Sequence, residues 1–137
     1  MTIMAVDGDP KALANLERNL RIAFPQELIV TFRGPLAAIQ YTNDHLREIA
    51  LVFSTVLLPC LDGLEFAKCL HRASPSISIF FTVQSASHEL IAILKQHGDG
   101  RCLLKPVTVE AIREVTSFLD DPYPCEDDGC EEGGICD

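Results

Sequence analysis

Strict alternation of strand-like and helix-like segments is the feature that most constrains how this 137-residue chain can fold. Short apolar, β-rich runs predict five strands, and each is followed by a segment with apolar residues at helical spacing. Such alternation with short connections predicts a parallel sheet covered by helices on both faces, with right-handed crossovers. The predicted strands are 2–6, 27–32, 50–53, 76–82 and 102–104.

The helix starts carry recognisable capping residues. Asp9, followed by Pro10, predicts the start of the first helix, and Thr108 predicts the start of the last. The predicted helices span 10–24, 36–49, 64–73, 85–97 and 109–119; an interruption of the second near residues 42–43 is left open. The sequence therefore predicts an α/β domain with five strands and five helices.

A doubly wound sheet of strand order 2-1-3-4-5 is the arrangement we expect. It places the carboxyl ends of the first and third strands side by side, where open α/β sheets bind their ligands. Asp7, Thr55 and Lys105 follow or end predicted strands, so they converge at this edge. Residues 51–63, which we expect to form a buried strand followed by a long loop, lie at the centre of this edge.

Two pieces of the sequence carry a family resemblance: LLPCLDGLEF at 57–66 and LLKPV at 103–107. They resemble response-regulator receiver domains of two-component signalling, which have a flavodoxin-like fold, and the resemblance covers about residues 2–119. It implies the same strand order. In that family an aspartate four residues before the loop proline accepts a phosphoryl group from a histidine kinase. Counting back from Pro59, this chain has Thr55 there.

The resemblance also implies an acidic pocket. In the family, two adjacent acids after the first strand hold Mg²⁺ together with the phosphoacceptor. Asp7 occupies the first place, whereas Gly8 occupies the second. Asp9 is a further acid, and we expect it to cap the helix rather than bind metal.

Three further positions match or depart from the family pattern. Thr82 and Lys105 match its strand-end hydroxyl residue and its lysine before proline, whereas Cys102 stands where the family has an aromatic switch residue. With no phosphoryl partner, Lys105 either anchors some other anion or forms a salt bridge with Asp7, and we favour the salt bridge.

The substitutions at Thr55 and Gly8 bear on the chemistry. Phosphoryl transfer needs an ionised nucleophile and a divalent cation that bridges it to the phosphoryl oxygens. Protein-bound Mg²⁺ relies on one or two carboxylates, and two of the three expected here are missing. We therefore expect no aspartyl phosphorylation and no cofactor, with Asp7 and Asp9 left as the candidate Mg²⁺ ligands.

Charge is concentrated at the end of the chain. The formal net charge is −9, yet residues 1–119 carry 12 acids against 11 bases, while 120–137 carry eight acids and no Lys or Arg. We expect a receiver-like domain over 1–119 and a mobile acidic tail over 120–137. The nearly neutral domain lacks the basic cluster of a nucleic-acid binder.

Six cysteines divide equally between the domain and the tail. The tail cysteines do not have the C-x-x-C spacing of a zinc site, although they remain candidate metal or redox groups: Cys125, Cys130 and Cys136. No apolar run reaches the roughly 20 residues of a membrane helix, and no signal peptide is recognisable. We expect a cytoplasmic protein without an appended DNA-binding or enzymatic output domain.

The interpretation we prefer is a stand-alone pseudo-receiver that is not an enzyme and acts by binding another signalling protein. By resemblance, a histidine kinase, response regulator or output protein would contact residues 85–119. One alternative is a receiver phosphorylated at an atypical acceptor, and another is a thiol or metal sensor that uses the tail cysteines. A flavodoxin-like enzyme has less support, since no phosphate-cradling loop follows the first strand.

Overall fold

A computed structural model describes residues 1–56, 58, 61, 63–84 and 102–120 of the chain. The elements in chain order are β1 Thr2–Val6, α1 Pro10–Ala23, β2 Leu28–Phe32, α2 Pro35–Asp44, β3 Ile49–Thr55, α3 Gly63–Ala73, β4 Ser78–Val83, β5 Cys102–Leu104, α4 Val109–Val115 and a 3₁₀ helix Ser117–Asp120. All strand pairs are parallel and the sheet order is β2-β1-β3-β4-β5, so the predicted doubly wound sheet is confirmed.

Successive residues of each strand point to opposite faces of the sheet, and this divides the core into two layers. On β3, Val52 packs in the layer covered by α2 and α3, whereas Leu51 and Phe53 pack in the layer covered by α1 and α4. Phe80 of β4 stacks on Phe53 with ring centroids 5.0 Å apart. Burial on both faces explains why the central strands are apolar at nearly every position.

The predicted helix caps are confirmed. Asp9 accepts a hydrogen bond from the backbone N–H of Lys11 at 3.1 Å, and Pro10 is the first residue of α1. Thr108 Oγ1 accepts one from the N–H of Ala111 at 3.1 Å at the start of α4. Each cap satisfies a backbone donor that the helix itself leaves unpaired.

The predicted second helix, 36–49, was too long. α2 ends at Asp44, and Ile49 is the first residue of β3. Ile49 is buried in the sheet and pairs with Thr2 of β1. Burial of a β-branched side chain in the sheet outweighs the small differences in local helix propensity.

The predicted last helix, 109–119, was also too long as an α-helix, because α4 ends at Val115 and a 3₁₀ helix follows. The hydroxyl and the N–H of Thr116 both donate to the Ile112 carbonyl, which closes the last α-helical turn. The predicted helix over 85–97 lies outside the described residues, which contain four α-helices. Within the described ranges, no helix is long and apolar enough to cross a membrane.

Candidate functional site

The carboxyl end of the sheet brings four of the predicted site residues together. Asp7 directly follows β1, Thr55 ends β3, Thr82 is the penultimate residue of β4 and Lys105 directly follows β5. Thr55 and Thr82 are partners in the β3–β4 register. Because all the strands are parallel, these residues lie at one edge, where α/β sheets form their clefts.

Asp7 is buried, and both of its carboxylate oxygens have partners. Oδ1 accepts a hydrogen bond from the backbone N–H of Asp9 at 2.9 Å, and Oδ2 lies 2.8 Å from Lys105 Nζ. The Asp7 side chain is 5% exposed. The salt bridge favoured by the sequence analysis is therefore present, and it compensates a charge that would be costly to bury alone.

Lys105 is fixed at both its side chain and its backbone. Its Nζ also donates to Thr55 Oγ1 at 3.2 Å, and its backbone N–H donates to the Val83 carbonyl at 2.9 Å. The side chain is 17% exposed, and the Lys105–Pro106 peptide bond is cis. Asp7, Lys105 and Thr55 thus form a continuous polar network that we call the cleft triad.

Among the described residues, the oxygen donors of the cleft are a poor match for a Mg²⁺ ion. Mg²⁺ requires several oxygen ligands in octahedral geometry, usually including carboxylates. The Asp7 carboxylate is paired with Lys105, and Asp9 caps α1. At the position after Asp7, Gly8 offers only its carbonyl, which accepts a hydrogen bond from the Arg33 guanidinium at 3.2 Å. A Mg²⁺ ion bound here would therefore have to displace the Lys105 ammonium group from Asp7 or lie close to the Lys105 and Arg33 side chains.

Thr82 differs from its neighbours in the cleft. It is 1% exposed, and its Oγ1 has no hydrogen-bond partner among the described residues. It borders a cavity of about 280 Å³ whose described lining residues are Asp7, Asp9, Lys11, Ala12, Asn15, Leu16, Thr82, Gln84, Lys105, Pro106 and Val107. A buried hydroxyl without a partner carries a desolvation cost.

Two asparagines on α1 hold the segment after Lys105, and sequence reasoning missed them. Asn15 and Asn19 donate from their side-chain amides to the Val107 carbonyl at 3.3 Å and 2.6 Å. They directly precede the buried Leu16 and Leu20, so their spacing of four residues places them beside the apolar stripe of α1. That spacing was the available signal, but the identity of their partner depends on the tertiary fold.

The predicted switch position, Cys102, is half-buried at the start of β5, opposite Phe81 of β4. Among the described residues, no group of three or more His, Cys, Asp or Glu side chains is arranged to hold a metal ion. The remaining predicted positions lie outside the described residues: Cys125, Cys130, Cys136 and the 85–101 part of the predicted partner surface.

Comparison with known sequences finds relatives among plant signalling proteins. The chain is 30% identical over 117 residues to the two-component response regulator ORR24 of rice, Oryza sativa, and 29% identical over 117 residues to ORR22. Each match covers 84% of this chain but only 18% and 16% of the respective relative. No family model matches the chain.

Comparison with solved structures finds the same fold in bacterial proteins. The signal receiver domain of a DNA-binding response regulator from Colwellia psychrerythraea superposes with a TM-score of 0.76 at 16% identity, covering 88% of this chain and 98% of that domain. A two-component response regulator from Clostridium difficile superposes with a TM-score of 0.74 at 20% identity, covering 88% and 97%. At these identities the likeness shows the fold.

Proposed function

We propose that this chain, which belongs to the receiver-domain family of two-component response regulators, is a pseudo-receiver. In this proposal it has the receiver fold, lacks aspartyl phosphorylation and acts by binding another signalling protein. It catalyses no reaction of its own and functions in the cytoplasm.

The cleft triad is the observation that carries this proposal. An acyl phosphate forms on a carboxylate, and the strand-end residue here is Thr55, a neutral hydroxyl. Lys105, which would otherwise face a phosphoryl group, is instead shared between Asp7 and Thr55 at 2.8 Å and 3.2 Å. The triad thus satisfies its own polar groups without a phosphoryl group or a metal ion.

The same geometry argues against an atypical acceptor at either acid of the β1–α1 turn. Asp7 is enclosed and ion-paired, and Asp9 is engaged in capping α1. Attack on a phosphodonor would require Asp7 to lose its lysine, or Asp9 to release the helix start. Both losses would add to the barrier for phosphoryl transfer.

Chemical phosphorylation of the full-length chain tests the proposal. After incubation with acetyl phosphate and Mg²⁺, we expect no phosphoryl adduct by intact-mass spectrometry, because the family's nucleophile is replaced by Thr55 and two of the three expected carboxylates are missing. A receiver domain with the complete acidic set, treated in the same way, is the positive control. A hydroxylamine-sensitive adduct on Asp7 or Asp9 would show that the chain is an active receiver with an atypical acceptor.

For the partner surface we propose residues 85–119, of which 102–119 are described. Support comes from three large apolar side chains exposed on that part: Leu104 at 55%, Phe118 at 40% and Leu119 at 40%. We expect Leu104→Asp to weaken binding to a cognate histidine kinase or response regulator by at least tenfold in calorimetry. Leu36→Asp on α2, which is 66% exposed, is the matched control; equal losses for both variants would rule out this surface.

We also propose that residues 1–119 form the folded domain and that 120–137 form an acidic tail. Support comes from the charge distribution, because residues 120–137 carry eight acids and no Lys or Arg, whereas residues 1–119 carry 12 acids and 11 bases. Limited proteolysis should produce a stable fragment that ends near this boundary. Early cleavage within the sheet, at the same rate as in the tail, would contradict the division.

A further inference from the structure

The strand β2 lies at one edge of the sheet, and among the described residues no strand pairs with its outer side. The Leu28 N–H and the Phe32 carbonyl, at the two ends of β2, bond to residues that flank β1, at 3.4 Å and 3.1 Å. Because backbone groups alternate between the two sides of a strand, Ile29 and Thr31 direct their N–H and C=O groups away from β1. The outer side of β2 therefore presents backbone donors and acceptors to another strand.

The usual protection of an edge strand is missing from β2. Charged residues, proline and bulges commonly prevent an edge from pairing with another molecule. The strand sequence LIVTF contains no charged residue and no proline, and its pairing with β1 has no bulge. Leu28 is 56% exposed, and the last three residues of β2 are half-buried. The opposite edge strand, β5, has only three residues in the part of the chain that the structure describes.

An antiparallel pair of two β2 strands matches this pattern of backbone groups. With a two-fold axis at Val30, Ile29 of each copy lies opposite Thr31 of the other. Since both residues direct their N–H and C=O groups outward, each such pair forms two backbone hydrogen bonds of an antiparallel ladder. The same register places Leu28 opposite Phe32 of the second copy, so apolar side chains meet across the axis.

The charges at the two ends of β2 are complementary in this register. Glu27 directly precedes the strand and Arg33 directly follows it, so Glu27 of each copy lies opposite Arg33 of the other. Glu27 Oε1 lies 2.7 Å from the Met1 ammonium group, and the Arg33 guanidinium donates to the Gly8 carbonyl at 3.2 Å. The second carboxylate oxygen and the other guanidinium N–H groups leave both side chains able to bridge the copies.

From these observations we infer that the outer edge of β2 is an interface between two copies of this chain, which join their sheets through antiparallel β2 strands. The interface is isologous, because the same segment serves on both copies. The inference goes beyond the proposed function and does not depend on it, since no residue of β2 is among the described lining residues of the cleft cavity. Since β2 and β5 are opposite edges of the sheet, the dimer leaves residues 102–119 accessible to a different protein.

Sedimentation velocity of the full-length chain over a range of concentrations tests the interface. A reductant is present throughout, because the chain has six cysteines and disulfides between copies would also produce dimers. We expect a reversible monomer–dimer equilibrium whose dimer fraction rises with protein concentration. A monomer alone at all concentrations up to the solubility limit would overturn the inference.

A proline variant tests whether the dimer uses the edge of β2. Thr31→Pro removes an outward N–H and no bond to β1, and proline is tolerated in edge strands at such positions. Two hydrogen bonds of the dimer are lost, so we expect about five- to hundredfold weaker dimerisation. Thr31→Val keeps the N–H, and Leu104→Asp lies on the opposite edge, so both should dimerise like the unmodified chain. Equal dimerisation of Thr31→Pro and Thr31→Val, or an equal loss in Leu104→Asp, would overturn the inference.

Exchanging the two charges tests the register, and it remains decisive if Thr31→Pro does not fold. Arg33→Glu places two carboxylates opposite each other at both ends of the paired strands, so we expect at least about fivefold weaker dimerisation at low ionic strength. Combining Glu27→Arg with Arg33→Glu restores opposite charges in the same register and should recover most of this loss. A double variant that dimerises no better than Arg33→Glu would overturn the antiparallel register and, with it, the inference.

Discussion

The two core layers and the cleft at the carboxyl end of the sheet are both buried, but different interactions stabilise them. Each core layer consists of apolar side chains that pack from the sheet and from two helices, so its stability is distributed over many contacts. The cleft depends on specific partners, since Asp7 and Lys105 each compensate the buried charge of the other. A single substitution in the cleft therefore leaves a specific polar atom without its partner, whereas a single large-to-small substitution in the core leaves a cavity.

This separation means that residues of the cleft can change while the receiver fold is retained. Phosphoryl transfer would depend on three positions at strand ends or in the following turns: Asp7, Gly8 and Thr55. None of the three belongs to the two hydrophobic layers. Replacing a carboxylate by a hydroxyl at Thr55 changes the polar network without removing a core contact. Fold and chemistry are thus specified by largely different residues.

The largest effect should come from the core. Phe80 is fully buried and stacks on Phe53, so Phe80→Ala should lower the free energy of unfolding by about 3–5 kcal/mol, measured by urea denaturation. Leu36→Ala, at a 66% exposed position, is the control and should cost less than about 1 kcal/mol. If Phe80→Ala costs no more than the control, stability is not concentrated in the two layers.

The next effect should come from the ion pair, and it should be asymmetric. Lys105→Met leaves the Asp7 carboxylate, 5% exposed, without its cation, and we expect a loss of about 2–4 kcal/mol in the same assay. Asp7→Asn should cost about 1–2 kcal/mol, because the Lys105 side chain is 17% exposed and its ammonium can turn toward water. Losses in the reverse order would show that Lys105, not Asp7, is the less accessible charge.

Periodicity in the sequence predicted most of the fold. The bounds of β1 and β5 and the caps at Asp9 and Thr108 follow from local patterns. The strand order is one of the common doubly wound orders, and the family resemblance implies it. The Asp7–Lys105 ion pair could also be predicted, because the strand order places both residues at one edge. These features depend on local sequence and on the order of the strands.

Other features depend on contacts between distant segments. The end of α2 was misplaced because pairing of Ile49 with β1 decides that boundary. The contact of Asn15 and Asn19 with Val107 spans more than 80 residues of sequence. The need for glycine at position 63 also depends on such a contact. A Cβ at Gly63 would lie 2.8 Å from Val56 Cα, and the strand and the loop together set that distance.

The smallest effect should distinguish two buried threonine hydroxyls. Thr116 Oγ1 donates to the Ile112 carbonyl at 2.7 Å, whereas Thr82 Oγ1 has no partner among the described residues. Both residues are at least 96% buried, so their environments differ mainly in this bond. Thr116→Val should therefore lower the free energy of unfolding by about 1 kcal/mol, since it removes a hydrogen bond.

Thr82→Val should leave the free energy of unfolding unchanged or raise it by up to about 1 kcal/mol, because it replaces an unpaired buried hydroxyl by a methyl group. Chemical denaturation of both variants at one pH and without added ligand gives the two values directly. A loss for Thr82→Val as large as that for Thr116→Val would mean that the Thr82 hydroxyl is already hydrogen-bonded in the unliganded protein. The difference between the two threonines would then disappear, because each hydroxyl would contribute one hydrogen bond to the stability of the folded protein.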